Sequence, residues 1–307
     1  MLNDCEVTGV SENEVYFKKR YRGGKWRYSM RIVNLIENTE GRSGCVNEHG
    51  LSFYIETEKH KALLDLGQTD NSLRNAKVLG IDLKTVDTVI LSHGHYDHSG
   101  GIMFFAGVND RAGIYMQKSA GGEYYADDGK LAAGDRYRYI GIDKEILKLP
   151  QVRLIQGDHV IDDELKVFTI SKRTHVLPFT NKRLLLKTED GFVSDDFLHE
   201  HFLVVKEKGL TVLMSGCAHN GILSILDAYE KKYGGFPDIV ISGFHLMVKR
   251  EYRENELEEV RAIAEELCRY PARFYTCHCT GIPAFEEMKK IMCDQLEYLH
   301  SGEEVVF

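Results

Sequence analysis

The chain has 307 residues, 43% of them hydrophobic, enough for one large or two ordinary domains with a sizeable core. Its formal charge of −8 argues against a nucleic-acid partner, because phosphate backbones are bound by a basic face. Seven cysteines, odd in number and unevenly spread, do not read as a disulfide framework, and no apolar run approaches the ~20 residues that span a bilayer.

Residues 1–13 are polar and acidic without an apolar h-region, so they do not read as a secretory signal. The expectation is a soluble, cytoplasmic and reduced protein, with a small-molecule substrate and an undetermined oligomeric state. Residues 1–28 read as a charged, aromatic-rich N-terminal extension, and 29–307 as a single domain. Within the extension, Lys18, Lys19, Arg20, Arg22, Lys25 and Arg27, together with Arg31 beyond it, form a basic run without an acid among them. It reads as a solvated arm or edge strand rather than an anion contact.

Residues 31–36 have strand composition and are followed by a Gly-rich loop over 38–50. Residues 51–56 and 61–66 form a hairpin around Glu58-Lys59-His60, ending in Asp65-Leu66-Gly67. A short helix covers 72–79, and residues 85–92 lead as a strand into the densest chemistry of the chain. There Ser92-His93-Gly94-His95-Tyr96-Asp97-His98-Ser99-Gly100-Gly101 places His93, His95, Asp97 and His98 within six residues. In an extended loop, residues two apart project to one side, so His93 and His95 can grip one cation together. Asp97 and His98 follow where the chain turns into a helix and can point to an adjacent position. Imidazole and carboxylate suit zinc, iron or manganese. Gly94, Gly100 and Gly101 remove bulk where the backbone bends tightly.

A helix continues over 102–106 and a strand over 114–117. Residues 118–150 are irregular, with Tyr124, Tyr125, Tyr137 and Tyr139 read as a substrate-side flap or surface packing. Strands over 152–155 and 165–170 precede a second irregular stretch, 171–201, which contains His175, His199 and His201. A hairpin over 202–206 and 210–215 opens into Gly216-Cys217-Ala218-His219, and a helix spans 223–233. A buried strand over 239–242 ends in Gly243-Phe244-His245. An amphipathic helix covers 255–270, with Leu257, Val260, Ile263, Ala264 and Leu267 on one side. A strand over 274–276 ends in Cys277-His278-Cys279, and Pro283 opens a helix to 292. Four histidine-bearing segments therefore each follow a strand, where loops at one end of a sheet converge on ligand sites.

The spacing His93-x-His95-x-Asp97-His98 resembles the metal-binding signature of the metallo-β-lactamase superfamily. Glu48-His49-Gly50, Asp65-Leu66-Gly67-Gln68, Gly216-Cys217-Ala218-His219, Gly243-Phe244-His245-Leu246 and His278-Cys279-Thr280-Gly281 extend the resemblance across about 31–292. They point to a branch that includes dihydropterin ribofuranosylaminobenzene-phosphate synthase-like proteins. The resemblance implies an α/β fold, a four-layer αβ/βα sandwich of two mixed sheets flanked by helices. It further implies two divalent metal ions, zinc foremost with iron or manganese as alternatives. His93, His95 and His219 would hold one, and Asp97, His98 and His278 the other, with Asp97 also orienting the nucleophile. Asp65 would support the metal loop from behind.

Cys217 departs from the aspartate common in superfamily hydrolases, and is either a thiolate ligand or a buried packing thiol. His245 is assigned to substrate as a second catalytic residue, and His49 to the same work or to a surface turn. Cys277 and Cys279 are expected to face away and pack, and His60, His159 and His300 to lie outside the site. The reading is a metal-dependent hydrolase of a small, anionic ester, lactone or phosphodiester. A synthase-like condensation of a pterin precursor with a phosphoribosyl compound is the alternative. A metal-bound redox or sensing module is the second.

Overall fold

The computed structural model describes residues 30–129 and 135–307 in full, and 6–11 and 14–18 as backbone. Lys19, Arg20, Arg22, Lys25 and Arg27 of the basic run lie outside the described residues, as does most of the N-terminal extension. The backbone strands Glu6–Ser11 and Glu14–Lys18 pair with each other and run on, parallel, to Glu304–Val306.

That edge belongs to a nine-stranded sheet. Inward from it lie Glu304–Val306, Arg31–Ile36, Ser52–Glu56, Lys61–Leu64, Thr88–Ile90, Gly113–Gln117 and Val152–Ile155. A seven-stranded sheet runs His159–Val160, Leu165–Phe168, Phe202–Glu207, Leu210–Ser215, Ile239–Ser242, Arg273–Thr276 and Leu296–Tyr298. Both sheets are mixed: from Glu304–Val306 inward the larger is antiparallel and then parallel, and the seven-stranded sheet changes in the same way.

Side-chain alternation along these strands builds the layers. Phe53, Ile55, Ala62 and Leu64 point into a core between the two sheets, where Val212, Met214, Ile241 and Tyr275 meet them. Their neighbours Tyr54, Leu63 and Val89 point the other way, against Ala76, Ile102 and Phe105. On the far sheet Leu213, Val240 and Phe274 pack on the helices Ile222–Tyr233, Glu254–Leu267 and Ile282–Met292. The order is helix, sheet, sheet, helix, the sandwich expected. Each buried aliphatic or aromatic side chain in it contributes about 1.5–3 kcal/mol.

Helical spacing explains the outer layers. Val260, Ala264 and Leu267 are the buried face of Glu254–Leu267, and Ala284, Met288 and Met292, four residues apart, that of Ile282–Met292. Pro283 sits in the first turn of the latter, and Gly234 ends Ile222–Tyr233 with φ 75°. Among the described residues no helix is long and apolar enough to cross a membrane.

Two stretches differ from expectation. The irregular regions 118–150 and 171–201 contribute a third, four-stranded sheet, in the order Gly191–Ser194, Leu184–Thr188, Tyr124–Asp127, Tyr137–Tyr139. Its strands are short, and the two hairpins that form it, 124–139 and 184–194, are joined across a long gap, Leu184 opposite Ala126 and Leu185 opposite Tyr125. The C-terminal strands Leu296–Tyr298 and Glu304–Val306 also lie beyond the last expected element. Tyr124 points inward and is buried, with its ring 4.1 Å from that of His199.

Candidate metal centre

The four histidine-bearing segments follow the strands Thr88–Ile90, Leu210–Ser215, Ile239–Ser242 and Arg273–Thr276 at their C-terminal ends. Ligands in α/β proteins bind there because the loops fan out beyond the sheet. The backbone is forced into place: Asp65, Phe197, Ala218, His245 and His278 all hold positive φ between 50° and 62°. Such conformations are uncommon for residues with a Cβ and concentrate at functional sites. The glycines supply room. A Cβ on Gly100 would lie 1.9 Å from the Gln68 carbonyl oxygen, and one on Gly216 would lie 2.2 Å from Ser92 Oγ.

His93, His95 and His219 are buried and bring one nitrogen each within 4.8 Å of the others. Asp97, His98 and His278 form a second buried set with the same closeness. In the second set, Asp97 Oδ2 lies 3.6 Å from His278 Nε2 and 3.9 Å from His98 Nε2.

The hydrogen bonds behind the rings settle which nitrogen is free. Ser92 Oγ donates to Asp65 Oδ2 at 2.7 Å and therefore accepts from His93 Nδ1 at 2.9 Å. His98 Nδ1 donates to Asp65 Oδ2 at 2.7 Å, the backing role expected of Asp65. Asn181 grips His219 twice: its Nδ2 donates to the His219 carbonyl at 2.7 Å and its Oδ1 accepts from Nδ1 at 3.0 Å. Asn38 does the same to His278, at 3.2 Å and 2.9 Å. Four imidazoles thus carry their proton on Nδ1 and a lone pair on Nε2.

These lone pairs converge. His93 Nε2 and His219 Nε2 face each other at 3.2 Å, two acceptors with no hydrogen between them. The buried His95 Nε2 and His278 Nε2 have no hydrogen-bond partner among the described residues. Buried polar atoms are normally satisfied, so this orphaned cluster fits an electrophile shared among the rings, a transition-metal cation.

Charge agrees with that fit. Burial opposes ionisation of Asp97, yet His98, His278 and His49 hold its carboxyl well below the usual range. Burial likewise opposes a proton on His98, but Asp65 and Asp97 raise its affinity for one, so this corner attracts positive charge. Burial and the neighbouring His98, His95 and His219 hold His93 well below its ordinary value, as a neutral donor ring.

Cys217 lies between the two sets, its Sγ 3.2 Å from His98 Nε2 and within 4.8 Å of donor atoms of both His93 and His278. Burial pushes its thiol well up. Cys279 departs from the expectation that it faces away. Residues 278–280 form a 3-10 turn rather than extended backbone, so Cys279 Sγ comes within 4.8 Å of Cys217 Sγ and a His278 nitrogen. Cys277 is fully buried in the core between the sheets, as expected.

His245 sits beside the first set with its ring 4.1 Å from that of His219. The Thr180 hydroxyl donates to the His245 carbonyl and accepts from its Nδ1 at 2.6 Å, leaving Nε2 with a lone pair. His49 also joins the site, its Nε2 3.4 Å from Asp97 Oδ2 and its ring stacked on His278 at 5.3 Å. His60, His159 and His300 contact other partners.

A family model for the metallo-beta-lactamase superfamily matches residues 47–178. A solved metal-dependent hydrolase of the beta-lactamase superfamily superposes with TM-score 0.73 at 27% identity, over 90% of this chain and 98% of its own. The chain shares the metallo-β-lactamase fold, and its residues 47–178 match that superfamily. It is also 29% identical over 302 residues to the 7,8-dihydropterin-6-methyl-4-(beta-D-ribofuranosyl)-aminobenzene-5'-phosphate synthase of Methanocaldococcus jannaschii, covering 91% of this chain and 97% of that one. An uncharacterised protein of the same organism is 28% identical over 88% of this chain and 98% of its own.

Several site residues carried no signal in the sequence. Asn38 and Asn181 are ordinary loop asparagines until the fold sets them behind His278 and His219. The buried Glu200 accepts from His219 N at 2.7 Å and from Asn220 N at 2.8 Å, fixing the backbone of the Cys217–His219 loop. Glu37 accepts from His278 N at 2.9 Å. A histidine two residues from another was the one available hint for His199, which lies with Asp195 beside His95.

Proposed function

We propose that the protein is a metal-dependent hydrolase, carried by a single domain over 29–307, acting on a small anionic ester, lactone or phosphodiester. The observation that carries this reading is the pair of Nε2 lone pairs on His93 and His219 at 3.2 Å, amid further unpartnered imidazole nitrogens. His93, His95 and His219 would hold one divalent ion, and Asp97, His98 and His278 a second. The imidazole-rich set suits zinc, with iron and manganese as alternatives, and a Cys217 thiolate between the sets would strengthen the preference for zinc.

Bound there, divalent ions supply Lewis acidity and bring water to a pKa of about 7. The protein's own groups do the rest. Asp97, held ionised, would accept a hydrogen bond from the attacking water and orient it. His245, its Nδ1 engaged by Thr180, would offer Nε2 to the substrate. Substrate charge is inferred from two cations whose fields reach the site, one of them, Arg183, also paired with Asp128 at 2.7 Å. After burial and His278, Arg183 is among the groups that hold His245 down to about 3, and Lys249 acts in the same sense on His49.

The test is metal analysis of protein purified without chelator, followed by turnover of phosphodiesters and lactones. About two transition-metal ions per chain are expected, falling to about one in Asp97→Ala together with most of the activity. Zero metal after gentle purification, with no uptake on reconstitution, would overturn the reading. The synthase relative favours a second one, condensation of a pterin precursor with a phosphoribosyl compound on the same donors. Incubation with a pterin and a phosphoribosyl donor, set against the hydrolytic assays, separates the two.

A further inference from the structure

The metal loop is held from behind by a pair of residues that the donor sets do not use. Gly94 separates His93 from His95, and its backbone N–H donates to His199 Nδ1 at 2.9 Å. A ring nitrogen that accepts cannot carry the proton, so His199 is protonated on Nε2, which donates to Asp195 Oδ2 at 3.1 Å. Both side chains are fully buried. Asp195 is itself tied down: its Oδ1 accepts from Phe197 N at 2.8 Å, and its N–H donates to the Leu184 carbonyl at 3.1 Å. Burial opposes its charge, but the bond from His199 holds the carboxyl below the usual range.

Gly94 is pinned from the other side as well. A Cβ there would lie 2.5 Å from the Ala120 carbonyl oxygen, so the segment is clamped between residue 120 and the His199 ring. Tyr124 closes on that ring at 4.1 Å, and the His95 ring lies 5.2 Å away. The donor atoms of His95, Asp195 and His199 come within 4.8 Å of one another, which could suggest a third metal position. Both nitrogens of His199 are already spent on Gly94 and Asp195, so the pair fits a mechanical role instead.

We propose that Asp195 and His199 are positioning residues that hold the His93-Gly94-His95 backbone so that both imidazoles present Nε2 to one metal ion. The inference rests on the reading of His93 and His95 as metal ligands. Its physical basis is the cost of letting that backbone relax. Groups behind metal ligands typically govern affinity by about 10–100-fold when removed. The dyad also couples the metal loop to the small four-stranded sheet, through Leu184 and Tyr124.

The experiment measures zinc affinity by competition with a chromophoric chelator, and the melting temperature of the metal-free protein, for wild type, His199→Ala, His199→Asn and Asp195→Asn. Asparagine places an amide oxygen near the position of Nδ1 and can still accept from Gly94. Asp195→Asn keeps the shape but has one oxygen for two donors, Phe197 N–H and His199 Nε2–H, and so disfavours the tautomer that Gly94 needs. His199→Ala and Asp195→Asn should weaken zinc binding by about 10–100-fold, and His199→Asn should recover most of that loss.

Wild-type affinity in His199→Ala, or His199→Asn as weak as His199→Ala, would overturn the positioning role. Should His199→Ala fail to fold, the near-isosteric Asp195→Asn decides alone: unchanged affinity refutes the proposal. A wild-type protein that takes up no zinc refutes the ligand reading itself, an outcome distinct from the others.

Discussion

Each imidazole of the centre is defined by what stands behind it. Asp65 accepts three hydrogen bonds, from Ser92 N, Ser92 Oγ and His98 Nδ1, all at 2.7 Å. An asparagine there has one acceptor oxygen and would turn N–H groups toward donors. Asp65→Asn should therefore cost about 1–3 kcal/mol in the metal-free protein and weaken metal binding by about 10–100-fold. Calorimetric melting and chelator competition on one preparation check both numbers. His245 is different, because each of the two proposed donor sets already counts three residues without it. His245→Ala should leave metal content unchanged and lower kcat/KM by about tenfold, the worth of one lost hydrogen bond of about 1–1.5 kcal/mol. Loss of a metal equivalent would instead make His245 a ligand.

The elements do their work by close approach. The short helix Tyr96–Ser99 carries Asp97 and His98, and it reaches the site because Gly100 lets the chain press on the Gln68 carbonyl. Adding a methyl group at 1.9 Å forces the backbone apart, and overpacking of this kind costs about 1–3 kcal/mol. Gly100→Ala should lower the melting temperature of the metal-free protein, and should also loosen metal binding because the helix that carries two donors must shift. An unchanged melting temperature would mean that the loop at 66–69 yields without cost. The small four-stranded sheet acts at the same scale, its inner residues Tyr124, Ala126 and Leu184 packing with Phe197, whose ring stacks on His219 at 4.8 Å.

Across the whole molecule the two large sheets are clipped together far from the metal centre. His60, in the turn between Ser52–Glu56 and Lys61–Leu64, bridges Asp87 and Asp162 at 2.7 Å each. Asp162 belongs to the turn between His159–Val160 and Leu165–Phe168 of the other sheet. Thr57 donates to Glu164 beside it, at 2.5 Å. Burial lowers the His60 pKa, but the bonds to Asp87 and Asp162 outweigh it and leave the value raised above 6.5. A raised pKa in the folded state contributes stability that is fully present below 6.5 and is lost as pH rises through the folded value. The melting temperature of wild type should therefore exceed that of His60→Gln most at about pH 6, with the gap narrowing through pH 8. A constant gap would show that the bridge works as a neutral hydrogen bond.

Much of this protein is written locally. The strand before His93, the glycines after it, and the helical spacing of Val260, Ala264 and Leu267 are short-range patterns, so the sandwich was legible without coordinates, and the six residues read as donors do gather in two buried clusters. Periodicity reports which face is buried, and the dense histidines of residues 93–98 report a local cluster of donor-type side chains, because both effects act between residues close in sequence. The strands 124–127 and 184–188 were not legible, since each is stabilised by a partner nearly sixty residues away and by burial over the site. Tertiary contacts alone turned Asn38 and Asn181 into guides for histidines 240 and 38 residues distant. They likewise swung Cys279 inward through the turn at His278. A hydrogen-bond partner is chosen by where the fold brings two groups, and no single stretch of chain encodes that meeting.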